Sequence, residues 1–185
     1  MNLSLNKFCI KTYRLKNLVR YQTTERIKDE TVLEHLGFTA MLIPKLRDIY
    51  EFDELKALKA ALYHDWAEAT YGDLAHPIKN NLPKEMIRQM EAMEVELIRK
   101  ELGDEIADSV EELNKFEAED RSVEGMIVAY ADALAVMAYS QKESLLGNKE
   151  VFDTNIIPYT ELRIERIKKM LQTHLIVSPS RPTEH

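Results

Sequence analysis

Ala60-Ala61-Leu62-Tyr63-His64-Asp65-Trp66-Ala67-Glu68-Ala69 is the stretch on which the reading of this chain turns. It is a mostly apolar helical sequence interrupted by three groups that can hold metal or move protons. Residues three and four apart share a helix face, so Glu68 lies one turn beyond both Asp65 and His64. All three can look into one cavity. Set among Ala, Leu, Tyr and Trp they should be partly buried, and buried charge is costly unless paired or metal-bound. An isolated His-Asp pair would read as a core histidine beside surface acids. What surrounds this pair changes that reading.

Upstream, Asp53 reads as the N-cap of a helix over residues 54–69. Thr31-Val32-Leu33-Glu34 is a capping box, which opens a helix to residue 47 with His35 in its first turn and a kink expected at Pro44. Residues 3–19 have a loose helical rhythm, and 20–28 form a polar loop with three cations and one aromatic, Tyr21. Solvation and anion binding are equally good readings of that loop. Downstream, Tyr71-Gly72-Asp73-Leu74-Ala75-His76-Pro77-Ile78-Lys79 is a loop by its Gly and Pro, close to His64 because it follows directly. Pro83 fits the first turn of a helix whose Met86, Met90, Met93, Leu97 and Ile98 read as a core face, ending at Gly103. Residues 104–116 form an acidic, solvated helix. Residues 122–146 form a helix that is apolar nearly all round and therefore central, ended by Gly147. Asp132 in its middle needs a partner. A last amphipathic helix covers 158–171, and 178–185 reads as a flexible tail. With no repeat and no convincing strand, the expected fold is all-α: one domain over 1–177 of about six to eight helices.

Composition bounds the function. The chain has 185 residues, 45% hydrophobic and 31% charged, as in an ordinary soluble globular protein. Its net charge of −7 argues against a nucleic-acid binder, while a local cation cluster or metal can still admit a small anionic substrate. Cys9 stands alone, as a small apolar residue on the first helix, so no disulfide framework is expected. No signal peptide opens the chain. The apolar run over 125–139 is too short for a bilayer and carries Asp132. A soluble, cytoplasmic protein without membrane partners is expected.

His35, His64-Asp65 and Asp132 are thus polar groups inside helices that otherwise pack. Two imidazoles and two carboxylates suit a divalent transition metal such as Mn, Fe, Co, Ni or Zn. Their order resembles the H…HD…D signature of the HD-domain metal-dependent phosphohydrolases. Arg20-Tyr21, Val32-Leu33-Glu34-His35, Tyr63-His64-Asp65-Trp66-Ala67-Glu68 and Gly72-Asp73-Leu74-Ala75-His76-Pro77-Ile78-Lys79 further resemble the YfbR-type branch, which hydrolyses deoxynucleoside monophosphates. That branch includes phage DatZ-type enzymes, which cut dATP into deoxyadenosine and triphosphate. The likeness spans about residues 15–147. It departs at Tyr21, where the family has Trp, and at Ala75-His76, where it has Pro-Thr.

The resemblance implies an HD-domain helical bundle with a divalent ion (Co, Mn, Zn or Mg) on His35, His64, Asp65 and Asp132. Glu68, with Asp65, is the catalytic candidate and would orient water or pass a proton. Arg20 would pair with phosphate, Tyr21 would stack on sugar or base, and Asp73 would touch the sugar or fix its loop. Pro77, Lys79 and Lys84 complete the expected substrate contacts. His76 reads as solvent-exposed, and His174 and His185 receive no role. Three functions compete: dNTP triphosphohydrolase, deoxyribonucleoside 5′-monophosphatase, and a non-catalytic nucleotide-binding module. Glu68 beside a full ligand set disfavours the third. Arg20, Arg26, Lys28, Lys79 and Lys84 are more cations than one phosphate needs, which favours the triphosphate. A homo-oligomer in a bacterial or phage-infected cell is expected.

Overall fold

Three helices of the described chain start where a side chain satisfies a backbone donor, and all three carry or adjoin the residues of the site. The computed structural model describes residues 3–74, 81–114 and 122–176. Among them α1 (Leu3–Arg14) runs into a 3₁₀ turn (Leu15–Asn17), followed by α2 (Val32–Arg47), α3 (Glu54–Tyr63) and α4 (Glu68–Tyr71). Then come α5 (Lys84–Leu102), α6 (Asp104–Asn114), α7 (Val123–Leu146) and α8 (Ile157–Leu171). The only β-pairing among the described residues is two isolated bridges, Val19 with Thr31 and Tyr50 with Leu175. The fold is all-α.

The capping box at α2 is present in full: Glu34 N–H donates to Thr31 Oγ1 (3.2 Å) and Thr31 N–H to Glu34 Oε2 (2.8 Å). Pro44 lies inside this helix. Asp53 caps α3 by accepting from Lys56 N–H at 3.1 Å. Ser122 caps α7 by accepting from Gly125 N–H at 3.0 Å. Gly147 ends α7 at φ 116°, a left-handed conformation that glycine adopts without a Cβ penalty. At Gly125 glycine is needed for space. A Cβ there would stand 2.8 Å from the Glu112 carbonyl oxygen, so α6 and α7 meet backbone to backbone.

The helix expected over 54–69 is two helices. α3 stops at Tyr63, residues 64–67 form a tighter turn, and α4 follows. His64 N–H still reaches back four residues to Ala60 O (2.9 Å), whereas Trp66, Glu68 and Ala69 reach back three, to Tyr63, Asp65 and Trp66 (3.0, 3.1 and 3.2 Å). Tertiary packing supplies the reason. Trp66 is 1% exposed, stacks on Phe8 at 6.2 Å and donates from Nε1 to Thr12 Oγ1 at 3.0 Å. Holding the indole against α1 is worth about 3–5 kcal/mol by the usual cost of truncating a buried aromatic. That suffices to shift one turn of helix out of register.

Two hydrophobic clusters share the interior. One gathers Ile43, Leu46, Ala57, Ala61, Ile127, Ala131, Ala133, Ile167 and their neighbours from α2, α3, α7 and α8. The other joins Leu15, Val32, Leu36, Trp66, Val95, Ile98 and Val110, around α1, the start of α2, α5 and α6. α7 is long and apolar enough to cross a membrane by composition, unlike the shorter run read from sequence, yet 56% of that window is buried inside the fold. It is the core helix. Of the face expected on α5, Ile98 is buried and Met90 and Leu97 are half-buried, while its other methionines are not. Met86 and Met93 are exposed, and the buried residues Val95 and Ile98 lie in the C-terminal half, where α5 packs on α6. Cys9 on α1 is exposed as well.

Candidate active site

The seam between the two clusters is where the anomalous polar residues meet. His35 follows Val32 and precedes Leu36, both of one cluster, and sits five residues before Ala40 of the other. Asp132 is flanked by Ala131 and Ala133. His64 caps the C-terminal end of α3 and opens the tight turn that carries Asp65.

Ligand atoms of His35, His64 and Asp132 all lie within 4.8 Å of one another. His35 Nε2 is 3.0 Å from Asp132 Oδ1 and 4.0 Å from Asp65 Oδ2, and His64 Nε2 is 3.4 Å from Asp65 Oδ2. His64 Nδ1 is 3.0 Å from the Ala61 carbonyl, which can only accept, so Nδ1 carries the proton and Nε2 presents a lone pair. His64 Nε2 and His35 Nδ1 are buried without a hydrogen-bond partner among the described residues, and His35 Nε2 has the Asp132 carboxylate as its near neighbour. Burial and the nearby Arg20 charge hold the His35 pKa below the usual value despite Asp132, which keeps the imidazole neutral. Burial pushes the Asp132 and Asp65 carboxyls up. Arg163, with the His35 hydrogen bond, outweighs it at Asp132, and the neighbouring positive charge, Arg20 included, does so at Asp65, so both stay ionised. Bare imidazole nitrogens facing ionised carboxylates form a donor set that fits a divalent cation.

Glu68 is buried at the first residue of α4, and its N–H bonds to the Asp65 carbonyl at 3.1 Å. It sits one short turn beyond the pair and outside the His35–His64–Asp132 triangle. Arg20 reaches the same region from the 20–30 loop. Burial opposes its charge, and Tyr21, Asp65, Asp132 and Glu30 more than offset that. Its guanidinium stands 5.6 Å over the Tyr21 ring and 3.6 Å from Glu30 Oε2, too far for a hydrogen bond. Tyr21 adopts φ 58°, stacks on Tyr139 at 4.8 Å, and feels the charge of Asp73. Burial pushes the Glu30 carboxyl up to about 7, although Arg20 pulls it down.

Not every expected contact is brought in. Arg26 is held inside its own loop, donating to Asp29 Oδ1 at 2.7 Å and to the Tyr21 carbonyl at 3.0 Å. Lys84 is exposed at the start of α5 and makes no ion pair among the described residues. His76, Pro77 and Lys79 lie outside the described residues.

Other residues join the site without having been anticipated. Arg163 of α8 donates to Asp132 Oδ2 at 2.8 Å and so fixes the carboxylate from behind. Glu30 and Tyr139 flank Arg20 and Tyr21. Spacing offered one clue. Tyr139 and Glu143 stand seven and eleven residues after Asp132, two and three helical turns along the same face. Arg163 left no such trace, being one cation on an amphipathic helix.

A family model described as YfbR-like 5′-deoxynucleotidase matches residues 7–175. No curated protein matches the chain. Among solved structures, a protein from Pyrococcus horikoshii is 22% identical, with 88% of each chain covered and a TM-score of 0.68. A conserved hypothetical protein from Pyrococcus furiosus is 25% identical over 88% of this chain and 98% of its own, with a TM-score of 0.65. An HD-domain phosphohydrolase from Listeria innocua is 19% identical over 90% and 82%, with a TM-score of 0.68.

Proposed function

The chain belongs to the YfbR-like 5′-deoxynucleotidase family, a metal-dependent hydrolase of deoxynucleotides, and on that footing we propose that it removes the 5′-phosphate of deoxynucleoside monophosphates. The observation that carries the reading is the convergence of His35, His64 and Asp132, with Asp65 alongside and Arg20 within their field. These four residues would hold a divalent transition metal, which when bound supplies Lewis-acid polarisation of a phosphoryl oxygen.

The chain's own groups do the rest. Arg20 pairs with the phosphate oxygens, for which its planar fork is suited. Tyr21, its ring already fixed by Tyr139, lies against the sugar or base. Glu68 orients the attacking water or accepts its proton, and Asp73 touches the sugar or holds its loop. Pro77 and Lys79 are the further substrate contacts.

Cleavage of dATP into deoxyadenosine and triphosphate is the alternative. It drew its support from a surplus of five cations, and Arg26 is committed within its loop while Lys84 stands exposed. That leaves the monophosphate ahead. Incubating the metal-loaded protein separately with dAMP and dATP and identifying the released species tests this. Orthophosphate from dAMP with dATP left intact is expected. Triphosphate from dATP with dAMP left intact would replace the proposal by its alternative.

A further inference from the structure

Glu143 is a fully buried carboxylate to which the reaction above assigns nothing. It lies near the end of α7, eleven residues or about 16 Å along the helix from Asp132. Every hydrogen bond it accepts here ties down other parts of the chain. Its Oε2 accepts from Ile27 N–H at 2.7 Å, and its Oε1 from Lys28 N–H at 2.8 Å. Asn148 Nδ2 donates to Oε2 at 3.1 Å and to the Glu25 carbonyl at 2.7 Å. One turn back, Tyr139 donates from its hydroxyl to the Lys28 carbonyl at 2.6 Å while its ring stacks on Tyr21.

The 20–30 loop is therefore held at two places. Its stem is closed by the Val19–Thr31 bridge and by Arg20 N–H to Glu30 O at 2.9 Å. Its far side rests on the C-terminal end of α7. Two adjacent amides on one carboxylate are charge-assisted bonds, stronger than neutral ones. With the Glu143 carboxylate itself wholly buried, they cannot exchange for water without loss. The same rigid helix carries Asp132 at its middle and Glu143 three turns on, so it sets the distance between the metal cluster and the loop that bears Arg20 and Tyr21.

We propose that Glu143 is a positioning residue for nucleotide binding: it seats the 20–30 loop on α7 and thereby holds Arg20 and Tyr21 in register with the metal ligands. This rests on the phosphohydrolase reading for its substrate, though not for its geometry.

Glu143→Gln retains shape but must point its amide nitrogen at Ile27 N–H or Lys28 N–H, breaking at least one bond. Tyr139→Phe keeps the ring stack and removes only the bond to Lys28, which guards against a Glu143 variant that does not fold. Three readouts are taken: amide hydrogen exchange over 20–30, metal content, and KM against kcat for dAMP, each also in an Arg20→Ala background.

The expected result is fast exchange of the Ile27 and Lys28 amides and full metal content. KM should rise about tenfold in Glu143→Gln and a few-fold in Tyr139→Phe, with kcat within twofold. With Arg20 already removed, either change should add less than twofold, since residues acting as a unit are not additive. Unaltered exchange and KM in the folded variants would overturn the proposal. So would effects that multiply with those of Arg20→Ala, or a loss confined to kcat. Loss of protection without wild-type hydrolysis of any deoxynucleotide would instead retire the substrate reading and leave the loop's seat on Glu143 standing.

Discussion

The His35–His64–Asp132 cluster and the 20–30 loop that carries Arg20 are built by opposite means. The cluster takes His35, His64 and Asp132 from α2, α3 and α7, helices packed into one core, with Ile43, Ala61 and Ile127 wholly buried. Its geometry follows from helix packing and is stiff wherever the core is stiff. The loop has no regular structure, and none of its side chains from 21 to 30 is fully buried, Tyr21 and Glu30 being half-buried. It is ordered by polar bonds, from Arg26 within and from Glu143, Tyr139 and Asn148 outside. Rigid ligands beside a polar, separately anchored loop divide the labour. On the proposed function, chemistry would fall to the stiff cluster, and recognition to a loop whose residues can be exchanged without disturbing the His35–His64–Asp132 geometry.

That division predicts a descending series of effects. Removing a ligand should be the most damaging. His64→Ala or Asp132→Ala should bring both metal content and turnover to background, because each removes a donor from the set. Metal analysis and a phosphate-release assay check it, and full metal content in both variants would break the comparison at its first side. Glu68→Gln should retain metal and KM while kcat falls by about 10²-fold or more. Near-normal turnover would make Glu68 a structural residue of α4.

On the loop side, Arg20→Ala should retain metal and lose one charge-assisted phosphate contact of roughly 1.5–3 kcal/mol, or about ten- to a hundredfold in kcat/KM. Loss of metal in this variant would mean that the two regions are not separable. The smallest effect concerns Glu30, whose folded pKa of about 7 exceeds the ordinary 4.5. The folded state binds that proton more tightly, so the stabilisation is complete below about pH 4.5 and is lost as pH rises through 7. Glu30→Gln should therefore gain on wild type between pH 5 and pH 8 by on the order of 1–3 kcal/mol. Urea denaturation of the chelated proteins at the two pH values measures it. A difference that does not change with pH would place Glu30 in ordinary solvent contact.

Local signals were legible in the sequence, and distant ones were not. The capping box at Thr31 and the cap at Asp53 act within four residues, so the starts of α2 and α3 could be read directly. His35, the His64-Asp65 pair and Asp132 stood out because apolar helices surround them. The break after Tyr63 could not be read, because Trp66 is drawn to Phe8 and Thr12, more than fifty residues earlier. The exposed methionines of α5 misled for a related reason. A periodic face reports amphipathicity and does not say how far along the helix a partner extends. The loop was read as either solvated or anion-binding, since its anchor Glu143 lies over a hundred residues away. Arg163 was hidden likewise.

The central claim is that His35, His64, Asp65 and Asp132 form one divalent-metal site. A crystal of the protein grown with Co²⁺ or Mn²⁺, with data collected across the metal's absorption edge, tests it most directly. One anomalous peak is expected about 2.0–2.2 Å from the nearest imidazole nitrogens and carboxylate oxygens of these residues, as for first-row metals on such donors. A metal-loaded, active protein whose anomalous peak lies elsewhere, with these four side chains uncoordinated, would contradict it.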